Sequence, residues 1–121
     1  MITALVTFIP KSDRSAMTAA EKLALYEKTA PTYQTIPGLI RKYFMGNGDR
    51  AGGWYEWETR AHADAYFTPE WENFITENYG SDVMLDFFDC PCVVDNRAGD
   101  IVFDTELKAA AQQAPKVEAA E

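Results

Sequence analysis

The chain has 121 residues, which is enough for one domain with a hydrophobic core. Eleven Lys and Arg against nineteen Asp and Glu give a net charge of −8, which argues against a nucleic-acid partner because such a surface repels phosphate. No apolar run approaches the roughly 18 residues of a membrane span, and the first ten residues lack the basic and long apolar regions of a signal peptide. We therefore expect a cytoplasmic protein that binds neither nucleic acid nor membrane.

The first part of the chain predicts a strand followed by a helix. Residues 2–9 are rich in β-branched and apolar side chains and end at Pro10, a pattern typical of a strand. Thr18 and Glu21 have the spacing of a capping box, which opens a helix, and Pro31 ends or kinks that helix. This part of the chain is therefore expected to be β-α.

The middle of the chain predicts a hairpin and then a helical region in two parts. Residues 39–45 and 53–58 are typical of strands, and a loop rich in glycine and polar residues joins them. We expect helical segments at 60–67 and 69–78, because a threonine suited to capping precedes each segment and a proline opens the second.

The last third predicts more strand and a tail. Residues 83–94, interrupted by Pro91, are typical of one long strand or a bent pair, and residues 101–103 of a short extra strand. Beyond them Ala, Gln, Lys and Glu dominate, which is typical of a loosely held helix or of disorder. We expect one domain over 1–103 and an alanine-rich tail over 104–121.

The predicted order β-α-β-β-α-β is that of a ferredoxin-like α+β fold with an antiparallel sheet. Successive side chains of a strand point to opposite faces, and three strands carry neighbouring aromatics. These pairs are Tyr43 and Phe44, Trp54 and Tyr55, and Phe87 and Phe88. Both faces of the sheet are therefore expected to be apolar, and a large exposed apolar face is rare in soluble monomers. The pattern predicts a homodimer in which a second copy covers that face.

A candidate catalytic pair lies at the start of the second helical region. His62 is the single histidine, which excludes metal centres that need two, and histidine is the side-chain type that exchanges protons near neutral pH. The positive end of the helix favours neutral imidazole, which suits a general base. Tyr66 lies one turn later on the same helix face, where it would hydrogen-bond the substrate. We expect His62 and Tyr66 to be catalytic, with no metal.

The expected binding site is a pocket between the helices and the sheet. Tyr55 and Trp57 share a strand face and suit its floor, with Trp71 and Phe87 as walls. Tyr and Trp offer an apolar body with one polar atom, which suits a small aromatic substrate. The further candidates for substrate binding are Tyr26 and Tyr43.

Two basic residues stand inside an otherwise apolar strand. Arg41 or Lys42 would reach the pocket and orient an anionic or phenolic substrate. The alternative is that these charges keep an edge strand soluble, with a cross-strand pair between Lys42 and Glu56. We include Arg41 among the candidates for substrate binding.

Several runs form a characteristic set: PGLIRKYF at 37–44, GGWYEWE at 52–58, ADAY at 63–66, YG at 79–80, FD at 88–89 and VVDN at 93–96. With this set, residues 1–103 resemble the YdhR-like monooxygenases of the dimeric α/β-barrel group, most specifically in the middle third. The resemblance implies a homodimer whose two sheets face each other as a barrel, with a pocket in each subunit between helices and sheet.

Relatives in that group include cofactor-free oxygenases that convert phenols to quinones, haem-degrading enzymes and non-oxidative polyketide cyclases. The haem-degrading relatives carry a histidine late in the second helix, where the matching residue here is Thr76. The resemblance therefore implies a monooxygenase without haem.

We predict a monooxygenase that needs no cofactor and acts on a small phenolic or polyketide-like aromatic substrate. Two alternatives stay open. One is a non-oxidative cyclase or isomerase with the same fold, which would not depend on oxygen. The other is a dimer that binds a small molecule without turnover.

Overall fold

The computed structural model describes residues 1–13 and 16–113. In chain order the elements are β1 Ile2–Pro10, α1 Ala19–Thr29, β2 Leu39–Gly46, β3 Ala51–Trp57, α2 Arg60–Tyr66, α3 Pro69–Asn78, β4 Gly80–Asp89, β5 Cys92–Asp95, β6 Asp100–Phe103 and α4 Thr105–Gln113. A short 3-10 helix, Ala30–Tyr33, continues α1.

The protein is α+β, as predicted. Four strands form one antiparallel sheet in the order β2-β3-β1-β4, and β5 and β6 form a separate hairpin. Because β1 and β3 are the two central strands, the helices that follow them pack on the same face of the sheet. That face and those helices enclose the space in which a pocket was expected.

Threonine caps begin the three helices that follow β1 and β3. Thr18 accepts a hydrogen bond from the Glu21 amide at 3.1 Å and donates its own amide to the Glu21 carboxylate at 2.9 Å, which confirms the capping box. Thr59 and Thr68 cap α2 and α3 in the same way through one side-chain bond each. The helical region is therefore in two parts, as the two threonines predicted.

The core lies between the helices and one face of the sheet. Alternate residues of β1, from Ile2 to Phe8, are buried there, as is Tyr55 of β3. Trp57 is 0% exposed and is the largest fully buried side chain among the described residues. Burial of such rings supplies most of the energy that holds helices on a sheet, at about 25 cal/mol per Å² of apolar surface.

The opposite face of the sheet, which we call the open face, is turned away from α1, α2 and α3, which pack on the other face. Trp54 and Phe88 stack there with ring centroids 6.0 Å apart and an angle of 14° between planes. Tyr43 and Phe88 are each 48% exposed. The neighbouring aromatics do point to opposite faces, because Phe44, Tyr55 and Phe87 lie on the helix side.

The structure decides between the alternatives at two places and contradicts the expectation at a third. The stretch over 83–94, expected as one long strand or a bent pair, is two strands, because Pro91 interrupts the strand between β4 and β5. The first of them begins earlier than expected, at Gly80. The first part of the tail forms α4, the helical alternative, while residues 114–121 lie outside the described residues. The expected pairing of Lys42 with Glu56 is wrong, because a register shift after Leu39 puts Arg41 opposite Glu56.

Candidate functional site

A cavity of about 60 Å³ lies between the helix-side face of the sheet and the helices α1 and α3. Its walls are mainly apolar and aromatic, and Lys42 is the one charged side chain among the described lining residues. The cavity is lined by Val6, Phe8, Leu25, Tyr26, Thr29, Tyr33, Lys42, Phe44, Met45, Gly52, Gly53, Tyr55, Ile75 and Tyr79.

The β2–β3 register turns the Lys42 side chain into this cavity. The shift between Leu39 and Arg41 places Lys42 directly opposite Tyr55, whose ring belongs to the buried face. Gly53 leaves the room that the lysine stem needs, because a Cβ on Gly53 would lie 2.9 Å from Lys42 Cε. The strand pairing therefore holds a cationic side chain among aromatic residues.

The Lys42 amine contacts aromatic ring faces from three elements. Its Nζ lies 3.5 Å from the ring centroid of Tyr33, 4.1 Å from that of Phe44 and 4.7 Å from that of Tyr55. Within the described part of the chain no hydrogen bond or ion pair reaches this nitrogen. Burial lowers the pKa of Lys42 to about 7, so the neutral amine and the ammonium coexist at neutral pH.

Three buried or half-buried tyrosines, Tyr33, Tyr55 and Tyr66, lie close to one another, and the rings of Tyr33 and Tyr55 contact the amine. Burial, and then the neighbouring Tyr66, raises the pKa of Tyr33 and of Tyr55 well above the usual range for tyrosine. Burial also raises the pKa of Tyr66. These hydroxyl groups therefore stay protonated at neutral pH and are available as hydrogen-bond donors.

The structure brings two of the predicted binding residues to the cavity wall. Tyr55 forms part of the floor, and Tyr26 faces it from α1, with its ring 5.2 Å from that of Phe44. Tyr55 and Trp57 share a face, as predicted, and their rings are stacked 6.0 Å apart at 5°.

Four further predicted residues form an aromatic cluster beside the cavity instead of lining it. Tyr66 packs on Trp57 at 5.5 Å between ring centroids and on Trp71 at 6.3 Å, and Phe87 joins through Phe67 at 6.0 Å. Phe87 is also covered by the Arg60 guanidinium, 3.7 Å from its ring centroid. The indole N–H groups of Trp57 and Trp71 are buried without a hydrogen-bond partner among the described residues. This cluster supports the cavity wall through Tyr55 and Tyr66.

His62 does not line the cavity. Its Nδ1 lies 2.7 Å from the Thr59 hydroxyl, and its ring lies against Gly38, where a Cβ would come within 2.1 Å of His62 Cγ. Gly38 has a φ of 78°, so the turn before β2 and the ring above it both require glycine. The expectation that His62 and Tyr66 face one pocket is wrong, because the ring folds back onto its own helix cap.

Arg41 and Tyr43 lie on the open face, away from the cavity. The Arg41 guanidinium donates to the Tyr43 hydroxyl at 3.3 Å and lies 3.9 Å from both Glu56 and Asp95. The expectation that they bind a substrate in the helix-side pocket is therefore wrong, because the strand alternation sends them to the other side of the sheet.

Twelve of the fourteen described lining residues are absent from the candidates, and Lys42 was considered only as the alternative to Arg41. The omitted residues include Tyr33, Phe44 and Tyr79. Lys42 and Phe44 alternate along one strand, which is a signal that they share a face. A bulge, however, reverses which residues face the helices, and nothing in the sequence marks its position. Tyr33 and Tyr79 come from a 3-10 helix and a helix end, whose side-chain directions are set by tertiary packing.

The cavity adjoins a groove of about 680 Å³ that leads along α1 and the β2–β3 hairpin. Leu25, Tyr26 and Met45 border both spaces. A ligand with a small reacting end and a larger body can therefore place one part in each.

Over residues 1–13 and 16–113 no group of three His, Cys, Asp or Glu side chains could hold a metal ion. No helix in the same ranges is long and apolar enough to cross a membrane. No protein-family model matches the chain, and neither does any curated protein sequence.

Proposed function

We propose that this protein is a cofactor-independent monooxygenase that acts on a small phenol, with Lys42 as the base that removes the phenol proton. The observation that carries the proposal is an amine without a counter-charge in an aromatic cavity. Efficient general bases have a pKa near the working pH, and burial gives Lys42 that property.

Proton transfer prepares the substrate for oxygen. The neutral Lys42 amine accepts the phenol proton, which leaves a phenolate next to the new ammonium group. The ion pair compensates each charge for the loss of water, and hydroxyl groups of Tyr33 and Tyr55 supply donors within the same walls. Lys42 therefore both creates and stabilises the electron-rich form of the substrate.

The overall reaction balances without a cofactor. A phenol with a free para C–H reacts with O₂ to give a quinone and water, so one oxygen atom enters the ring and the other leaves as water. The substrate itself supplies the electrons.

Cavity size bounds how the substrate fits. An engineered cavity of about 150 Å³ holds benzene, so about 60 Å³ is too small for a complete ring with the side chains at rest. The adjoining groove is large enough for the remainder of an aromatic molecule. We therefore place the hydroxyl end beside Lys42 and the body of the substrate toward Leu25 and Tyr26.

The direct test uses 1-naphthol, a bicyclic phenol with a free para position. We expect oxygen uptake equal to the 1,4-naphthoquinone formed, and a loss of about 10²–10⁴-fold in rate in Lys42→Met. Lys28→Met, which removes an exposed lysine of α1, is the control and should keep the wild-type rate. Turnover that continues under argon would instead favour a cyclase or isomerase, and tight binding without turnover a binding protein.

We also propose that two copies pair through the open face to form a dimeric α/β barrel. Trp54 is opposite Leu5 and stacks with Phe88, which gives an apolar strip on β3, β1 and β4 with Asp86 beside it. Soluble monomers rarely leave such a face uncovered, and a second sheet is the partner whose shape and hydrophobicity match it.

The β5–β6 hairpin supports the same assembly. Val94 and Ile101, which are opposite each other in the hairpin, are each 62% exposed. The contact of Arg41 with Asp95 ties the hairpin to the open-face side of the sheet. In a dimer these apolar side chains would extend the interface beyond the two sheets.

A further inference from the structure

The Lys42 amine combines three properties that a nucleophile needs. Among the described residues the amine has no hydrogen-bond partner and no carboxylate partner, so its lone pair is available to attack a ligand. It stands at the wall of a cavity that small molecules can reach from the adjoining groove. The rings of Tyr33 and Tyr55 fix its position from two sides.

The groups that face this amine do not favour its charged form strongly. The titratable side chains around it are tyrosines: Tyr33 from the 3-10 helix, Tyr55 from β3, Tyr26 from α1 and Tyr79 from the end of α3. No Asp, Glu, His or Arg is among the described residues that line the cavity. The attraction of the ring faces for a cation is weaker than the cost of burying its charge.

We infer that Lys42 is a covalent capture site for small aldehydes and unhindered ketones, which condense with Nζ to form an imine. This activity goes beyond the proposed oxidation of phenols and requires no oxygen. The cavity holds roughly two or three heavy atoms at the carbonyl end, given that about 150 Å³ holds the six carbons of benzene, and the rest of a compound lies in the adjoining groove.

The step balances in atoms and electrons. The amine lone pair forms a bond to the carbonyl carbon as the C=O π bond breaks, and a proton moves from nitrogen to oxygen. Loss of that hydroxyl as water takes a proton from a neighbouring tyrosine or solvent and gives the iminium ion. Return of the remaining N–H proton to the same group gives the imine. Carbonyl compound and amine become imine and water, with no change of oxidation state.

The test is reductive trapping on the full chain at pH 7 under argon, with acetaldehyde and cyanoborohydride as the probe. Cyanoborohydride reduces the imine to a stable N-ethyllysine. Mass spectrometry of the digest then locates the modified lysine. At this pH the neutral fraction of Lys42 exceeds that of an ordinary lysine by about a thousandfold. Because the cavity restricts access, we expect Lys42 to be labelled at least about tenfold faster than Lys22 and Lys28, both exposed on α1.

A cavity-blocking variant distinguishes a site from a merely reactive amine. Leu25→Trp fills the space that Leu25 borders, so it should protect Lys42 and leave the labelling of Lys28 unchanged. Equal labelling of Lys42 and Lys28 in the wild-type protein would overturn the inference, as would full labelling of Lys42 in folded Leu25→Trp. Because argon removes oxygen, neither outcome depends on whether phenols are oxidised.

Discussion

Lys42 and Tyr33 are in direct contact, with the lysine Nζ 3.5 Å from the centroid of the tyrosine ring. One comes from the edge strand β2 and the other from the 3-10 helix that continues α1. Their contact closes the cavity on one side and keeps an amine out of water. The chemistry proposed for this protein depends on that burial, because an exposed lysine is almost fully charged at neutral pH.

Lys42→Met should change how stability depends on pH. The unfolded chain holds the lysine proton up to about pH 10.4, while the folded chain releases it near pH 7. Between these values the unfolded state binds more protons, so wild-type stability rises with pH relative to the variant. We expect a relative gain of up to about 2 kcal/mol from pH 7 to pH 9.5, measured by urea unfolding. Parallel curves for the two proteins would contradict a buried, neutralised lysine.

Tyr33, Tyr55 and Tyr66 should resist ionisation while the protein is folded. Burial raises the pKa of all three, so their folded-state advantage is present below about pH 10 and is lost as pH rises further. Alkaline titration followed by tyrosinate absorbance should show three of the six tyrosines ionising only with unfolding seen by circular dichroism. Tyr66→Phe should reduce the number of tyrosines that ionise only with unfolding from three to two. Tyr43→Phe, on the open face, should leave that number at three.

His62→Ala should leave the oxidation of 1-naphthol within about threefold of the wild-type rate, because the imidazole lies outside the cavity. The variant loses the contact with Thr59 and the packing on Gly38, for which we expect about 1 kcal/mol of destabilisation. Steady-state rates and thermal unfolding measure the two effects separately. A rate loss of a hundredfold in the folded variant would return the role of general base to His62.

Phe88→Asp should dissociate the proposed dimer. The substitution places a charge beside Trp54 in the apolar strip, and burying an unpaired carboxylate costs several kcal/mol. Sedimentation equilibrium should show a dimer for the wild-type protein and a monomer for the variant at the same micromolar concentration. Leu23→Asp is the matched control, since Leu23 is an exposed leucine of α1 and should leave the dimer intact. A monomeric wild-type protein would refute the barrel.

Local signals in the sequence determined the elements and their order. A threonine cap requires only the residues that follow it, so the starts of α1, α2 and α3 follow from Thr18, Thr59 and Thr68. Alternation along a strand is equally local, which is why the aromatic pairs correctly predicted aromatic side chains on both faces of the sheet. These features need no knowledge of which strand pairs with which.

Only the tertiary structure decided which side chains meet at the site. The register shift in β2 is a property of two paired strands, and it sent Lys42 to the cavity and Arg41 to the open face. His62 satisfied the sequence criteria for a base, yet its ring folded against Gly38, a residue far from it in the chain. The environment that lowers the pKa of Lys42 is built from α1, the 3-10 helix, β3 and the end of α3. Burial is a collective effect of these packed elements, so no single stretch of sequence contains it.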